Sequence, residues 1–249
     1  MNRVIIALMF SALVLTGCNK KESENNSDPS PNPQQNTPDP AKQQSEPVNY
    51  KVSCTNVYVT TEMTNGIPGS TIEQKTMVEG TKAVQKLGDG HFKSDRSNIV
   101  ERILSTVADD GTKTETRHIK FKNVFTRESV DKEVETNIFV SDVTAIGTLT
   151  ALTESTDFAG PDNTRVKVME YKTVTHGKYF DDGENSYTIE YTIDGKEEHF
   201  DEGRYTTKSV SEDKGRITTT TTTLNAPVDD GSGGRLESSS ETCRSERLD

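Results

Sequence analysis

"SYTIEYTIDGKEEHF", residues 186–200, contains the pattern that decides the fold class. Polar and apolar residues alternate up to Ile193, and Asp194-Gly195 then interrupts the alternation. An Asp-Gly pair flanked by alternating residues is the strongest short-range signal for a two-residue hairpin loop. With that loop, Ile193 faces Lys196, Tyr191 faces Glu198 and Ile189 faces Phe200. Tyr187, Ile189, Tyr191, Ile193 and Phe200 then share one face. Glu190 and His199 meet on the other face as a pair of opposite charge. The register yields one apolar face and one polar face, which is the signature of a half-buried antiparallel sheet.

The same signals recur along the chain. "YKVSCTNVYVTT" (50–61), "TRHIKFKNVFT" (116–126), "ETNIFVS" (135–141) and "TRVKVMEYKTVT" (164–175) are rich in β-branched and aromatic residues. Asp-Gly pairs at 89–90, 110–111, 182–183 and 230–231, and Asn65-Gly66, punctuate them as turns. None of these aspartates falls in a calcium-loop pattern. The exception is "NIVERILSTVA" (98–108), where Ile99, Val100, Ile103, Leu104 and Val107 follow helical spacing and Asn98 with Glu101 resembles a capping box. Its β-branched content suits a strand nearly as well, so 98–108 reads as a short helix closing one end of the sheet or as a further strand. The expectation is an all-β antiparallel meander forming a curved sheet or barrel. A two-sheet β-sandwich is the alternative.

The first eighteen residues follow a different logic. Arg3 precedes an apolar run from Val4 to Leu15, far short of the about 20 residues that span a bilayer, so the run has the proportions of a signal peptide. It ends Leu15-Thr16-Gly17-Cys18, which resembles the lipobox of bacterial lipoproteins. That resemblance implies cleavage before Cys18, a diacylglycerol thioether on its sulfur, and further acylation (palmitate, for example) on its amine. Two or three acyl chains anchor stably where one does not. By the same resemblance, Asn19 in place of an aspartate directs export to the outer membrane of a Gram-negative cell.

Residues 19–48 hold six of the nine prolines and almost no aliphatic side chain. Such a segment cannot offset its ordering entropy and reads as a tether. It would reach roughly 90 Å if extended as polyproline and about 30 Å as a coil. The organisation expected is therefore a signal peptide over 1–17, the lipidated cysteine and tether over 18–48, and one all-β domain over 49–249. In an exported domain the two remaining cysteines, Cys54 and Cys243, are expected to form a disulfide that brings the first and last strands together.

Composition narrows the function classes. Losing the signal peptide removes one cation, Arg3, from a chain of net charge −11. A chain this acidic is a poor partner for nucleic acid or for an anionic membrane surface. The four histidines, His91, His118, His176 and His199, show no metal-ligand spacing. No phosphate-binding glycine loop and no CxxC is present. "DDGSGG" (229–234) is similar to the segment around a chymotrypsin-like nucleophile, but its first two residues are transposed and it reads as a turn. Glu197-Glu198 and Asp229-Asp230 are paired carboxylates in turn-like or solvent-facing stretches, and the chain has no tryptophan. "ITTTTTTL" (217–224) reads as a strand with a weakly polar inner face.

The sequence thus leads to a non-enzymatic envelope lipoprotein with a binding or structural domain, needing no cofactor. Its membrane contact is the lipid on Cys18, and an envelope protein or the cell wall is the partner class considered. A lipid or lipophile carrier and a secreted hydrolase are the alternatives. The scarcity of large aliphatic residues predicts a modest core, a polar opposite face, and no deep lipid cavity.

Overall fold

The computed structural model describes residues 45–135, 138–153, 168–180, 184–193, 196–229 and 234–248. The sequence's turn signals fall between its strands. β1 (Val48–Thr64) turns at Asn65-Gly66 into β2 (Ile67–Gly88), with both turn residues at positive φ. Asp89-Gly90 leads to β3 (His91–Val107), and a turn at Gly111 leads to β4 (Lys113–Glu135). There follow β5 (Ile138–Ala151), β6 (Val168–Phe180), β7 (Glu184–Ile193) and β8 (Lys196–Glu212). A 3-10 turn (Asp213–Gly215) precedes β9 (Ile217–Leu224), the two-residue β10 (Val228–Asp229) and β11 (Gly234–Arg247).

Every pairing is antiparallel, and from β1 to β9 each strand pairs with the next. β11 pairs with β9 on one side and with β1 on the other, so the hydrogen-bonded order runs round to its starting point. All ten long strands have two neighbours, an arrangement that leaves no bare edge among them. A single barrel-like sheet forms, not two stacked sheets. The 187–200 hairpin has the expected register: Ile189 opposite Phe200, Tyr191 opposite Glu198, Ile193 opposite Lys196, and Glu190 opposite His199. Cys54 and Cys243 are direct partners across the β1–β11 seam and are joined by a disulfide. The seam therefore links positions 189 residues apart in sequence.

Of the two readings of 98–108 the strand is the one formed, with residues 98–107 in β3. Asn98, Val100 and Arg102 are buried, while Ile99 between them is exposed, which is a period of two. Pairing with β2 on one side and β4 on the other satisfies the backbone that a capped helix would have satisfied internally. The β-branched content favours that outcome. Asn98 is an interior residue and caps nothing. Glu101 lies on the outer face, where its carboxylate meets His118 Nε2 at 2.6 Å.

The folded chain also begins before residue 49. Ser45 N–H donates to the Lys86 carbonyl at 3.0 Å, and the Lys86 N–H donates to Ser45 Oγ at 3.0 Å. The last proline of the proline-rich stretch, Pro47, is therefore part of the strand approach.

Inside, the residues sort into rows that cross neighbouring strands. An apolar row carries the disulfide: Cys243, Cys54, Val78, Val100 and Phe121 are successive partners from β11 to β4, all buried. Ile119, Ala145, Leu149 and Tyr171 extend the core on β4 to β6. The outer face of the same strands is polar and charged, with Lys51, Glu79, Asp95, Lys120, Lys122, Glu128 and Arg244 exposed. The modest core and polar opposite face expected from composition are both present. The expectation about a lipid cavity also depends on β6–β8, whose side chains lie mostly outside the described residues.

Candidate functional site

The interior holds charges that the alternation of apolar residues did not announce. Arg96 and Arg102 of β3 share the inward parity of Val100, and Arg127 of β4 shares that of Phe121 and Phe125. Arg102 is 0% exposed, Arg127 6% and Arg96 8%. Arginine is almost never buried without compensation, so these three positions demand a physical account.

Two rows contain them. In the first, Thr222, Glu241, Asn56, Thr76 and Arg102 are successive partners from β9 to β3. All are at most 2% exposed. The Asn56 amide and the Thr76 hydroxyl have no hydrogen-bond partner among the described residues. A buried polar group left so costs about 1–3 kcal/mol. This row is built like the lining of a wet interior, not like a dry core.

The second row lies on the other side of the disulfide. Tyr50, Lys82, Arg96, Phe125, Gly147 and Tyr171 are successive partners from β1 to β6. The Lys82 ammonium sits 4.9 Å from the centre of the Tyr50 ring, and the Arg96 guanidinium 5.6 Å from that of Phe125. Both are cation–π distances. Arg96 Nε donates to Ser94 Oγ at 3.4 Å. Ser94 in turn is the register partner of Arg127, which opposes the fully buried Ala145 on β5.

Gly147 is what lets the row continue to β6. A Cβ at this position would run into Phe125 Cβ and the Val124 carbonyl. With no side chain on β5 at this point, Tyr171 reaches past it to β4, where its hydroxyl donates to Asn123 Oδ1 at 2.9 Å. Tyr171 is 4% exposed, and that bond satisfies its polar tip.

The electrostatics follow from crowding like charges in a poorly solvated space. Burial, then the Arg96 and Arg127 charges, pushes the Lys82 ammonium down to about 7. Burial and the Arg127 charge bring Arg96 down to about 9, with Glu241 opposing. Burial holds the Tyr171 phenol well above its ordinary value. Near the rim, burial raises the Asp131 carboxyl, partly offset by the Ser141 hydroxyl, which donates to it at 2.6 Å, and by the Arg127 charge. Arg96, Arg102, Arg127 and Glu241 each make further interactions within the fold.

The residues singled out from sequence are distributed differently. Cys18 lies outside the described residues, as do Asp230 and most of the 229–234 turn. His118 is on the outer wall, between Glu101 and Glu115. The strand positions of His176, Glu197, Glu198 and His199 are described but their side chains are not. Cys54, Glu241 and Cys243 bring potential metal-ligand atoms within 4.8 Å of one another. With both sulfurs in the disulfide, only the carboxylate remains to ligate, so the trio is no metal centre as it stands. In the threonine strand, Thr222 is buried beside Glu241, as expected of a weakly polar inner face.

Comparison with known proteins adds little. No family model matches the chain, and no curated protein matches it. Among solved structures it is similar to the β domain of the Bordetella autotransporter BrkA. That likeness covers 82% of this chain and 100% of the other, at 7% identity and a TM-score of 0.35. At that distance it assigns neither fold nor function.

Proposed function

We propose that this chain is a lipid-anchored envelope protein that acts by binding and catalyses no reaction, and that the interior of its barrel-like sheet is the binding compartment. The observation that carries the reading is an inversion of charge. The chain as a whole has net charge −11, yet its described interior buries Arg96, Arg102 and Arg127 and half-buries Lys82. Among the described side chains, Glu241 is buried with them and Asp131 is half-buried near the rim. An interior selected for stability alone would be cheaper to fill with apolar side chains of similar volume.

The outer wall supports the anchoring half of the proposal. A membrane-spanning barrel presents a band of apolar side chains about 25 Å tall. Here the outward positions of β3 and β4 interleave Asp95, Lys120, Lys122 and Glu128 with isolated Ile99 and Val124. In this reading the domain stands in water, and the membrane contact is the acylated Cys18, reached through residues 19–48. The outer membrane is the proposed destination on the strength of Asn19.

Intact-mass measurement of the protein extracted from envelopes tests both halves. Under denaturing conditions the chain should begin at Cys18 and carry acyl masses, which Cys18→Ser abolishes. Under native conditions an additional non-covalent mass should be present and should leave on unfolding. A mature chain without acyl groups would overturn the anchor. Only the apo mass, in protein released gently from envelopes, would count against the binding compartment.

A further inference from the structure

We propose that the groove at the tethered end of the sheet docks on the anionic phospholipid surface in which Cys18 is anchored, its cations taking the lipid phosphates. The inference rests on the anchoring half of the proposed function and adds an electrostatic contact to the covalent one.

The groove lies where β1 and β9 begin and β11 ends, and it encloses about 650 Å³. Pro47 and Val48 of the incoming chain line it together with Lys214, Arg216, Arg247 and Leu248. The three cations are exposed, as contact with a surface requires. Arg216 Nε donates to the Arg247 carbonyl at 3.4 Å, which holds the two arginines side by side. Most acids of this end are turned away from the groove. Arg247 shares the inward parity of Cys243, while Glu246 and Glu212, both opposite Ile217, hold the outward register. Glu246 meets Arg244 there at 3.9 Å. Glu46 on the lining and Asp213 in the turn are the described acids left beside the cations.

The turn that carries Lys214 is not the one folding alone would choose. Asp213, Lys214 and Gly215 have φ of 48°, 53° and 86° in succession. Residues other than glycine visit this left-handed region singly, and asparagine or aspartate far more readily than lysine. Glycine at 214 would form the turn with less strain, and strain of this kind collects at functional sites.

The course of the chain supplies the partner. Ser45 is fixed to the end of β2: its N–H donates to the Lys86 carbonyl, and its carbonyl accepts from Gln85 Nε2 at 3.1 Å. The tether therefore joins the fold beside the groove, and in the anchored protein it leads to the bilayer. Tethering makes docking an intramolecular step, with an effective concentration on the order of millimolar. Each cation near an anionic surface adds about fivefold in attraction, so three suffice there although they would bind weakly from free solution. The net charge of −11 does not oppose this. Exposed charges more than about 8 Å away are largely screened at physiological salt.

The test reconstitutes the full lipidated chain into vesicles of phosphatidylcholine, with or without phosphatidylglycerol. Lys214 is labelled with an amine-reactive reagent and Arg247 with phenylglyoxal, and both are mapped by mass spectrometry against the exposed Lys122 of the outer wall. Phosphatidylglycerol should slow labelling of Lys214 and Arg247 at least about threefold relative to Lys122, and high salt should restore it. Lys214→Gly relaxes the turn, so it should unfold at the same or a higher temperature than the parent and yet lose most of the protection of Arg247. Equal labelling on the two kinds of vesicle overturns the proposal, and so does undiminished protection of Arg247 in Lys214→Gly. Equal protection by inorganic phosphate in nonionic micelles would assign the groove to a soluble anion and overturn the membrane as its partner. A chain that floats with both kinds of vesicle without protection keeps its anchor and loses only the docking. One that floats with neither loses both.

Discussion

Two rows cross the same strands of this sheet and are built for different ends. The disulfide row runs through Cys54, Val78, Val100 and Phe121 and contains only apolar atoms and one covalent bond. The cationic row runs through Tyr50, Lys82, Arg96 and Phe125, four residues further along β4, and holds two positive charges in the same small space. Burial is comparable in both: Phe121 is 1% exposed and Phe125 3%. What differs is whether the buried group prefers to be there. The first row stabilises the fold. The second opposes it, and a function is the natural reason to retain it.

If this division holds, the largest loss comes from opening the disulfide row. Cys54→Ala with Cys243→Ala releases a constraint spanning 189 residues. The chain-entropy model puts that at about 5 kcal/mol. Urea unfolding of the oxidised parent against the double variant measures it. A loss well under 1 kcal/mol would mean that strand pairing alone holds the β1–β11 seam. The next largest is Phe121→Ala, which removes a nearly inaccessible ring from the same row and should cost about 3–5 kcal/mol.

How far the sequence revealed these rows depends on what kind of signal each one carries. The hairpin at 187–200 was legible because Asp194-Gly195 fixes the loop, and the loop fixes every partner to Phe200. The seam was legible because two cysteines in an exported domain have few alternatives. The 98–108 stretch reads as helix or strand alike because its apolar residues satisfy both periods: Val100 and Leu104 face in, while Ile99 faces out and Ile103 is half-buried in the outward register. Only pairing with β2 and β4 separates the readings, and that is tertiary information. Arg96 and Arg127 were missed for a related reason. Their signal is parity with Val100 and with Phe121 and Phe125, legible once the register is known. Composition misleads there, since arginine in an acidic chain reads as surface.

The cationic row should respond to pH in a way the disulfide row cannot. Lys82 is brought to about 7 in the fold against 10.5 for the free side chain. Between these values the unfolded chain holds a proton that the folded chain has lost, so stability rises with pH from about 7 towards 10 and is diminished below 7. The slope is at most about 1.4 kcal/mol per pH unit. Lys82→Met removes the titration and keeps an apolar stem against Tyr50. At pH 6 it should be more stable than the parent by about 2 kcal/mol, once partial solvation is allowed for. The advantage should fade by pH 10. Parallel unfolding curves at pH 6, 8 and 10 read this directly, and an advantage that does not change with pH would assign the effect to packing.

The smallest effect is expected from the same substitution on the other face. Lys113 Nζ lies 2.6 Å from Glu73 Oε2, the shortest ion pair described on the outer wall apart from the equally short His118–Glu101 contact. Its side chain is 52% exposed, so water already solvates both the paired and the separated charges. Such pairs contribute about 0.2–1 kcal/mol and weaken with salt. Lys113→Met should therefore destabilise slightly. Lys82→Met should have the opposite sign at pH 6. Two lysines, one substitution and two signs separate the faces of the sheet more sharply than either magnitude. If both variants shifted stability in the same direction at pH 6, Lys82 would behave as an ordinary surface cation, and the cationic row would not differ from the outer wall in the way its burial and its neighbours Arg96 and Arg127 imply.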